Sequence, residues 1–128
     1  MTLLLASVRS AEEALTACAG GADIIDLKEP AAGALGRLPD ATIAAILRAV
    51  AGRKPASATI GDMPLEPRRV RAAVLEMAAT GVDIVKLGHN GPNFGLYGGV
   101  LRWGKNSARG LAGSRPPTGA LFFCKGEF

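Results

Sequence analysis

Residues Gly21 to Lys28 read Gly-Ala-Asp-Ile-Ile-Asp-Leu-Lys, and sixty positions on, Gly81 to Gly88 read Gly-Val-Asp-Ile-Val-Lys-Leu-Gly. Each is a glycine-led apolar run with charge at its C-terminal end. Strands this apolar belong in a parallel sheet covered on both faces, and the spacing leaves room for helical crossovers between them. Side chains alternate along a strand, so Asp26 and Lys28 share one face while Ile25 and Leu27 take the other. In the echo, Lys86 falls where Asp26 falls. Charges at the ends of buried strands are costly unless paired or functional. In α/β proteins that end of the sheet is where chemistry is done.

The remaining elements fall between these runs. Residues 2–8 read as a strand. Ser10 can cap a helix over Ala11–Ala19, with Glu13 at capping-box spacing and Gly20-Gly21 closing it. Residues 22–28 form the second strand, and a loop with Pro30, Gly33 and Gly36 follows. Asp40 can cap a helix over Ala41–Val50 that Gly52 ends, with Ile43, Ile46, Leu47 and Val50 at helical spacing. Ala56–Ile60 is a third strand. Pro67 opens a helix to Ala79 with Val70, Val74, Leu75 and Ala78 on one face, and Val82–Leu87 is a fourth strand.

The order β-α-β-α-β-α-β implies a parallel sheet with right-handed crossovers. Two architectures fit it: a doubly wound open sheet, or part of a (β/α)₈ barrel. A whole barrel needs roughly 250 residues, so a chain of 128 residues supplies about half.

The composition breaks near Gly91. Residues 1–90 carry ten basic and ten acidic side chains, whereas 91–128 carry five basic and one acidic, so the whole net charge of +4 lies in the tail. All six aromatic residues and nine of the seventeen glycines lie there too. The expected organisation is a half-barrel over 1–90 and, over 91–128, a tail that is irregular or read out of frame. Its basic and aromatic content raises single-stranded nucleic acid as a partner, but it has no ribonucleoprotein-type motif and no amphipathic basic helix, so no nucleic acid is expected. No apolar run approaches the ~20 residues of a membrane span, and no membrane is expected either. Cys18 and Cys124 stand far apart and in no metal-ligand spacing, which fits reduced thiols in the cytoplasm.

Several side chains can carry chemistry. A lysine at a barrel mouth can form a Schiff base with a carbonyl substrate when burial or a neighbouring cation favours its amine. Lys28 has that position, with Lys86 as the cation. Its plainer roles are phosphate binding or a salt bridge to Asp26 or Glu29. Asp26 can orient both lysines and serve as general acid/base, or simply pair with Lys28. Lys86 can act as general base, bind phosphate or compensate Asp26. Ser57 and Thr59 share one face of the third strand, where they can touch substrate or bond within the sheet. Asp62 can orient substrate or cap a turn. His89 is the only histidine. The loop with Gly33 and Leu35-Gly36 can turn backbone amides toward a phosphate.

The run Gly20 to Pro30, with Gly33-Ala34-Leu35-Gly36 after it, resembles the start of the (5-formylfuran-3-yl)methyl phosphate synthase family of methanofuran biosynthesis. Ser57-Ala58-Thr59-Ile60-Gly61-Asp62 and Val82 to Gly88 resemble that family's third and fourth strands, in the right order. The resemblance covers residues 2 to about 88 and implies the N-terminal half of a TIM barrel, four strands and three helices. It implies condensation of two molecules of glyceraldehyde 3-phosphate with loss of phosphate and water. Lys28 matches the Schiff-base lysine, Lys86 the proton acceptor and Asp26 an active-site carboxylate. No metal or organic cofactor is implied. The expected ligand is a small phosphorylated aldehyde, in a truncated lyase whose activity is open. Nothing after Gly88 resembles the family's second half. Two rival roles remain. One is a non-catalytic half-barrel whose exposed edges favour a homo-oligomer. The other is a different sugar-phosphate barrel enzyme, such as an aldolase or a hexulose-phosphate synthase.

Overall fold

The computed structural model describes residues 2–33, 36–64, 66–91, 94–102 and 121–124, and from residue 88 onward only the backbone. The elements run β1 (Leu5–Val8), α1 (Ala11–Ala19), β2 (Ile24–Leu27), a 3₁₀ turn (Pro30–Ala32), α2 (Asp40–Val50), β3 (Ala56–Asp62), α3 (Pro67–Ala79), β4 (Ile84–Gly91), β5 (Phe94–Arg102) and β6 (Leu121–Cys124). They form one sheet in the order β1-β2-β3-β4-β5-β6. β1 to β4 are parallel.

Because the strand order follows the chain without reversal, every crossover turns the same way and the helices gather on one face. Buried Ala14 of α1, Ile43, Ile46 and Val50 of α2, and Val74 and Met77 of α3 form one cluster with Val8, Ile25, Leu27, Ala58, Ile60 and Val85 of the strands. A doubly wound sheet would reverse its order at a switch point and carry helices on both faces. The arrangement fits a partial barrel. The face away from the helices carries Ser7, Asp26, Ser57, Thr59 and Lys86, the alternate residues of the same strands.

Local chemistry sets most boundaries. Ser10 accepts from the Glu13 amide at 3.1 Å, and the Glu13 carboxylate reaches back to the Arg9 amide at 2.8 Å, so two otherwise orphaned donors at the start of α1 are satisfied. Asp40, expected as the cap of α2, instead lies in its first turn; Pro39 takes the cap position with no side-chain bond. Asp40 still suits the positive end of the helix and pairs with Arg37 at 2.8 Å. The reversal after α2 begins at Ala51, in the left-handed region at φ 51°, one residue before the expected Gly52. On α3 Met77, which the expected face of Val70, Val74, Leu75 and Ala78 left out, is fully buried with Val74, and Leu75 is only half-buried.

The Gly-x-Asp echo is a strand-entry device. Asp23 accepts from the Leu4 amide at 2.8 Å while its own amide donates to Leu4 at 2.8 Å. Asp83 does the same to Ala56, at 2.9 Å both ways. Each aspartate thus locks its strand to the entry of the preceding one, and the glycine two residues before it takes positive φ.

Part of the tail is regular. Beyond Gly88 the backbone continues as strand to Gly91, and β5 and β6 follow as antiparallel strands on the edge of β4. Gly95, Gly98 and Gly99 break the side-chain alternation that would have marked β5 as a strand. The rest of the tail, including 103–120, lies outside the described residues.

Candidate active site

The parallel register stacks the polar face in two rows. Ser7, Asp26 and Ser57 stand level on β1, β2 and β3. One pleat nearer the C-terminal ends, Thr59 stands level with Lys86 on β4, and Lys28, one residue past β2, continues that row on the other side.

Asp26 is the centre of the lower row, at 1% exposure. Its Oδ1 accepts from the Ser57 hydroxyl at 2.6 Å. Its Oδ2 accepts from the Ser7 hydroxyl at 3.1 Å and from Lys86 Nζ at 2.7 Å. A buried carboxylate is tolerable only when its lone pairs are filled in this way. Lys86 spans β3 to reach it, its side chain 21% exposed. Of the two pairings considered for Asp26, the one with Lys28 does not form and the one with Lys86 does. Glu29, the other partner considered for Lys28, turns its carboxylate onto the Ala31 amide at 3.0 Å.

That leaves Lys28 different from Lys86. Lys28 is half-buried, and its side chain makes no hydrogen bond or ion pair among the described residues. It lines a cleft of about 250 Å³ with Ser7, Val8, Arg9, Glu13 and Pro30, at the C-terminal ends of β1 and β2. One lysine is held against a carboxylate; the other has no side-chain partner among the described residues and lines a cleft that Arg9 also lines.

Ser57 and Thr59 are each 1% exposed, and Thr59 donates to the Gly36 carbonyl at 2.8 Å. The same carbonyl accepts from the Glu29 amide at 3.0 Å, so the loop after β2 is tied down over the ends of β2 and β3. The Gly33 and Gly36 amides, considered as phosphate donors, are used inside this loop, on Pro30 at 3.3 Å and Gly33 at 3.2 Å. Leu35 lies outside the described residues, and so does the side chain of His89. Asp62 is exposed at the end of β3, its carboxylate against Gly33. Ser7 was not singled out from the sequence. A lone serine on an edge strand gives no signal until the register sets it opposite Asp26.

Among the described residues no group of three or more His, Cys, Asp or Glu is placed to hold a metal ion. No helix there is long and apolar enough to cross a membrane.

The sequence profile of the 4-HFC-P synthase family matches residues 4–97. A relative from Methylorubrum extorquens is 50% identical over 88 residues, covering 69% of this chain and 36% of its own length. The (5-formylfuran-3-yl)methyl phosphate synthase of Methanopyrus kandleri is 46% identical over 85 residues, 66% of this chain and 36% of that protein. The synthase of that name from Methanosarcina mazei is 44% identical over 88 residues, 69% of this chain and 37% of that protein. The chain thus spans little more than a third of the length of these relatives. The matched region contains every strand of the parallel sheet and both lysines of the polar face, and the chain belongs to the 4-HFC-P synthase family.

Proposed function

We propose that the parallel strands are a sector of a (β/α)₈ barrel and that their polar face is part of a lysine Schiff-base site for phosphorylated aldehydes in methanofuran biosynthesis. Lys28 Nζ adds to the aldehyde carbon of glyceraldehyde 3-phosphate and water leaves, giving an iminium that acidifies the neighbouring carbon. Lys86, in its amine form, takes that proton, and Asp26 holds the ammonium that results. The enamine then adds to a second aldehyde. Across the whole reaction two triose phosphates become (5-formylfuran-3-yl)methyl phosphate, one phosphate and two waters, so atoms balance without an oxidant or reductant. Asp62 borders the substrate. Ser57 and Thr59 serve the substrate indirectly, by holding Asp26 and the loop over the strand ends.

The observation that carries this proposal is the separation of the lysines. An amine tied at 2.7 Å to a buried carboxylate suits proton handling, and an unpaired amine in a cleft suits nucleophilic attack. The relatives' names support the product. The test is borohydride trapping with glyceraldehyde 3-phosphate, read by intact mass and peptide mapping. An adduct on the Lys28 peptide, absent in Lys28→Ala, is expected. A folded chain that gives no adduct refutes a Schiff-base role. A stronger adduct with a different aldehyde or ketone phosphate would reassign the substrate to another sugar-phosphate reaction.

A further inference from the structure

Asp26 accepts hydrogen bonds from two hydroxyls that differ in one respect. Ser57 is 1% exposed and faces only the protein. Ser7 is exposed and lines the cleft with Lys28. The single proton of Ser7 goes to Asp26 Oδ2 at 3.1 Å, and a carboxylate oxygen also held by Lys86 fixes that direction. A serine oxygen has two lone pairs besides its proton. No described residue donates to those of Ser7. The cleft therefore offers an oriented acceptor with no donor of its own.

Its distance from Lys28 sets what can fill it. Ser7 is level with Asp26 on the neighbouring strand, and Lys28 lies two residues further along on the same face. One strand spacing of ~4.8 Å and two residues of rise, ~6.6 Å, put the two Cα atoms ~8 Å apart. A carbonyl carbon bonded to Lys28 Nζ, with a hydroxyl on the next carbon, bridges that gap.

We propose that Ser7 is a specificity residue, accepting a hydrogen bond from the hydroxyl adjacent to the aldehyde captured by Lys28, so that the cleft selects α-hydroxyaldehydes over plain aldehydes. This rests on the Schiff-base role of Lys28. Because Ser7 and Lys86 share Asp26 Oδ2, a bound hydroxyl also sits one hydrogen bond from the carboxylate that holds the proton acceptor. The carbon that must lose its proton is the one bearing that hydroxyl.

The test compares borohydride trapping of glyceraldehyde 3-phosphate with 3-phosphooxypropanal, which has the same length and no 2-hydroxyl. The step is the same for both: Nζ displaces the aldehyde oxygen as water, and hydride converts the iminium to a secondary amine. Ser7→Ala is expected to lower the ratio of hydroxylated to plain adduct about tenfold, the scale of one hydrogen bond, with the rate for 3-phosphooxypropanal unchanged. Ser7→Thr restores the ratio. Should Ser7→Ala fail to fold by circular dichroism, Ser7→Cys, close in shape but a weak acceptor, reads the same ratio. An unchanged ratio overturns the assignment of Ser7 while leaving Lys28 standing, and an equal loss of both adducts overturns it as well, since Ser7 then acts only through the fold. No Lys28 adduct with either probe in the parent chain overturns the Schiff-base role and the Ser7 assignment together.

Discussion

Lys86 Nζ lies 2.7 Å from Asp26 Oδ2, although the two residues stand on strands separated by β3 and sixty positions apart in the chain. The lysine crosses above Ser57, which holds the other oxygen of the same carboxylate. Removing one partner of such a pair leaves a buried charge uncompensated. Lys86→Met is therefore expected to cost about 3 kcal/mol in urea unfolding. Asp26→Leu with Lys86→Met should recover part of that loss, because no charge is then left behind. A double-mutant cycle measures the coupling; a value under about 0.5 kcal/mol would mean that the contact contributes nothing beyond proximity.

Lys28 makes the opposite forecast. With no side-chain partner among the described residues, Lys28→Ala should change unfolding free energy by no more than about 0.5 kcal/mol. The same substitution should abolish aldehyde trapping. A large loss of stability would show that Lys28 is a structural residue.

Gly36 anchors the loop over the site. A Cβ there would press into the Glu29 carbonyl oxygen and crowd Ala32, and the first of these is backbone that cannot swing aside. Gly36→Ala should displace the loop and strand the Thr59 hydroxyl, now bonded to the Gly36 carbonyl at 2.8 Å. An unsatisfied buried hydroxyl costs about 1–3 kcal/mol. Faster amide exchange at Glu29, whose N–H also depends on Gly36, would confirm the route; unchanged exchange and melting would refute it.

Ala51 ends α2 in the left-handed region at φ 51°, a conformation that crowds Cβ and that glycine adopts freely. Ala51→Gly should stabilise the chain by about 0.5 kcal/mol, with the relieved strain outweighing the looser unfolded state. Thermal melts read the sign directly.

The β1 edge bears on the rival role of self-association. Leu3 and Leu4, just before β1, and Leu5 at its start are 60%, 55% and 44% exposed, and β1 ends the sheet with none of the charges that usually blunt an edge. Sedimentation velocity should show association that rises with concentration and falls in Leu3→Lys/Leu5→Lys. Equal sedimentation of parent and variant would remove this edge as the contact.

The amino-acid sequence by itself determined the alternation of strands and helices. Glycine-led apolar runs, Ser10 with Glu13 and Pro67 act on their own neighbours and need no distant partner. It also marked Lys28 and Lys86, because they interrupt or follow runs that are otherwise apolar. It did not reveal β5, where glycines erase the alternation. It did not reveal that Asp23 and Asp83 lock strand entries either, because each bonds to the entry of the preceding strand. Which lysine meets Asp26 was decided only in the tertiary structure. The nearer one in sequence, Lys28, extends along the same strand face toward the cleft, whereas the parallel register of β2, β3 and β4 sets Lys86 one pleat above Ser57 and within reach of the carboxylate. Ser7 joined the site in the same way. Its hydroxyl has meaning only beside a carboxylate nineteen residues away, and sheet pairing, not local sequence, put it there.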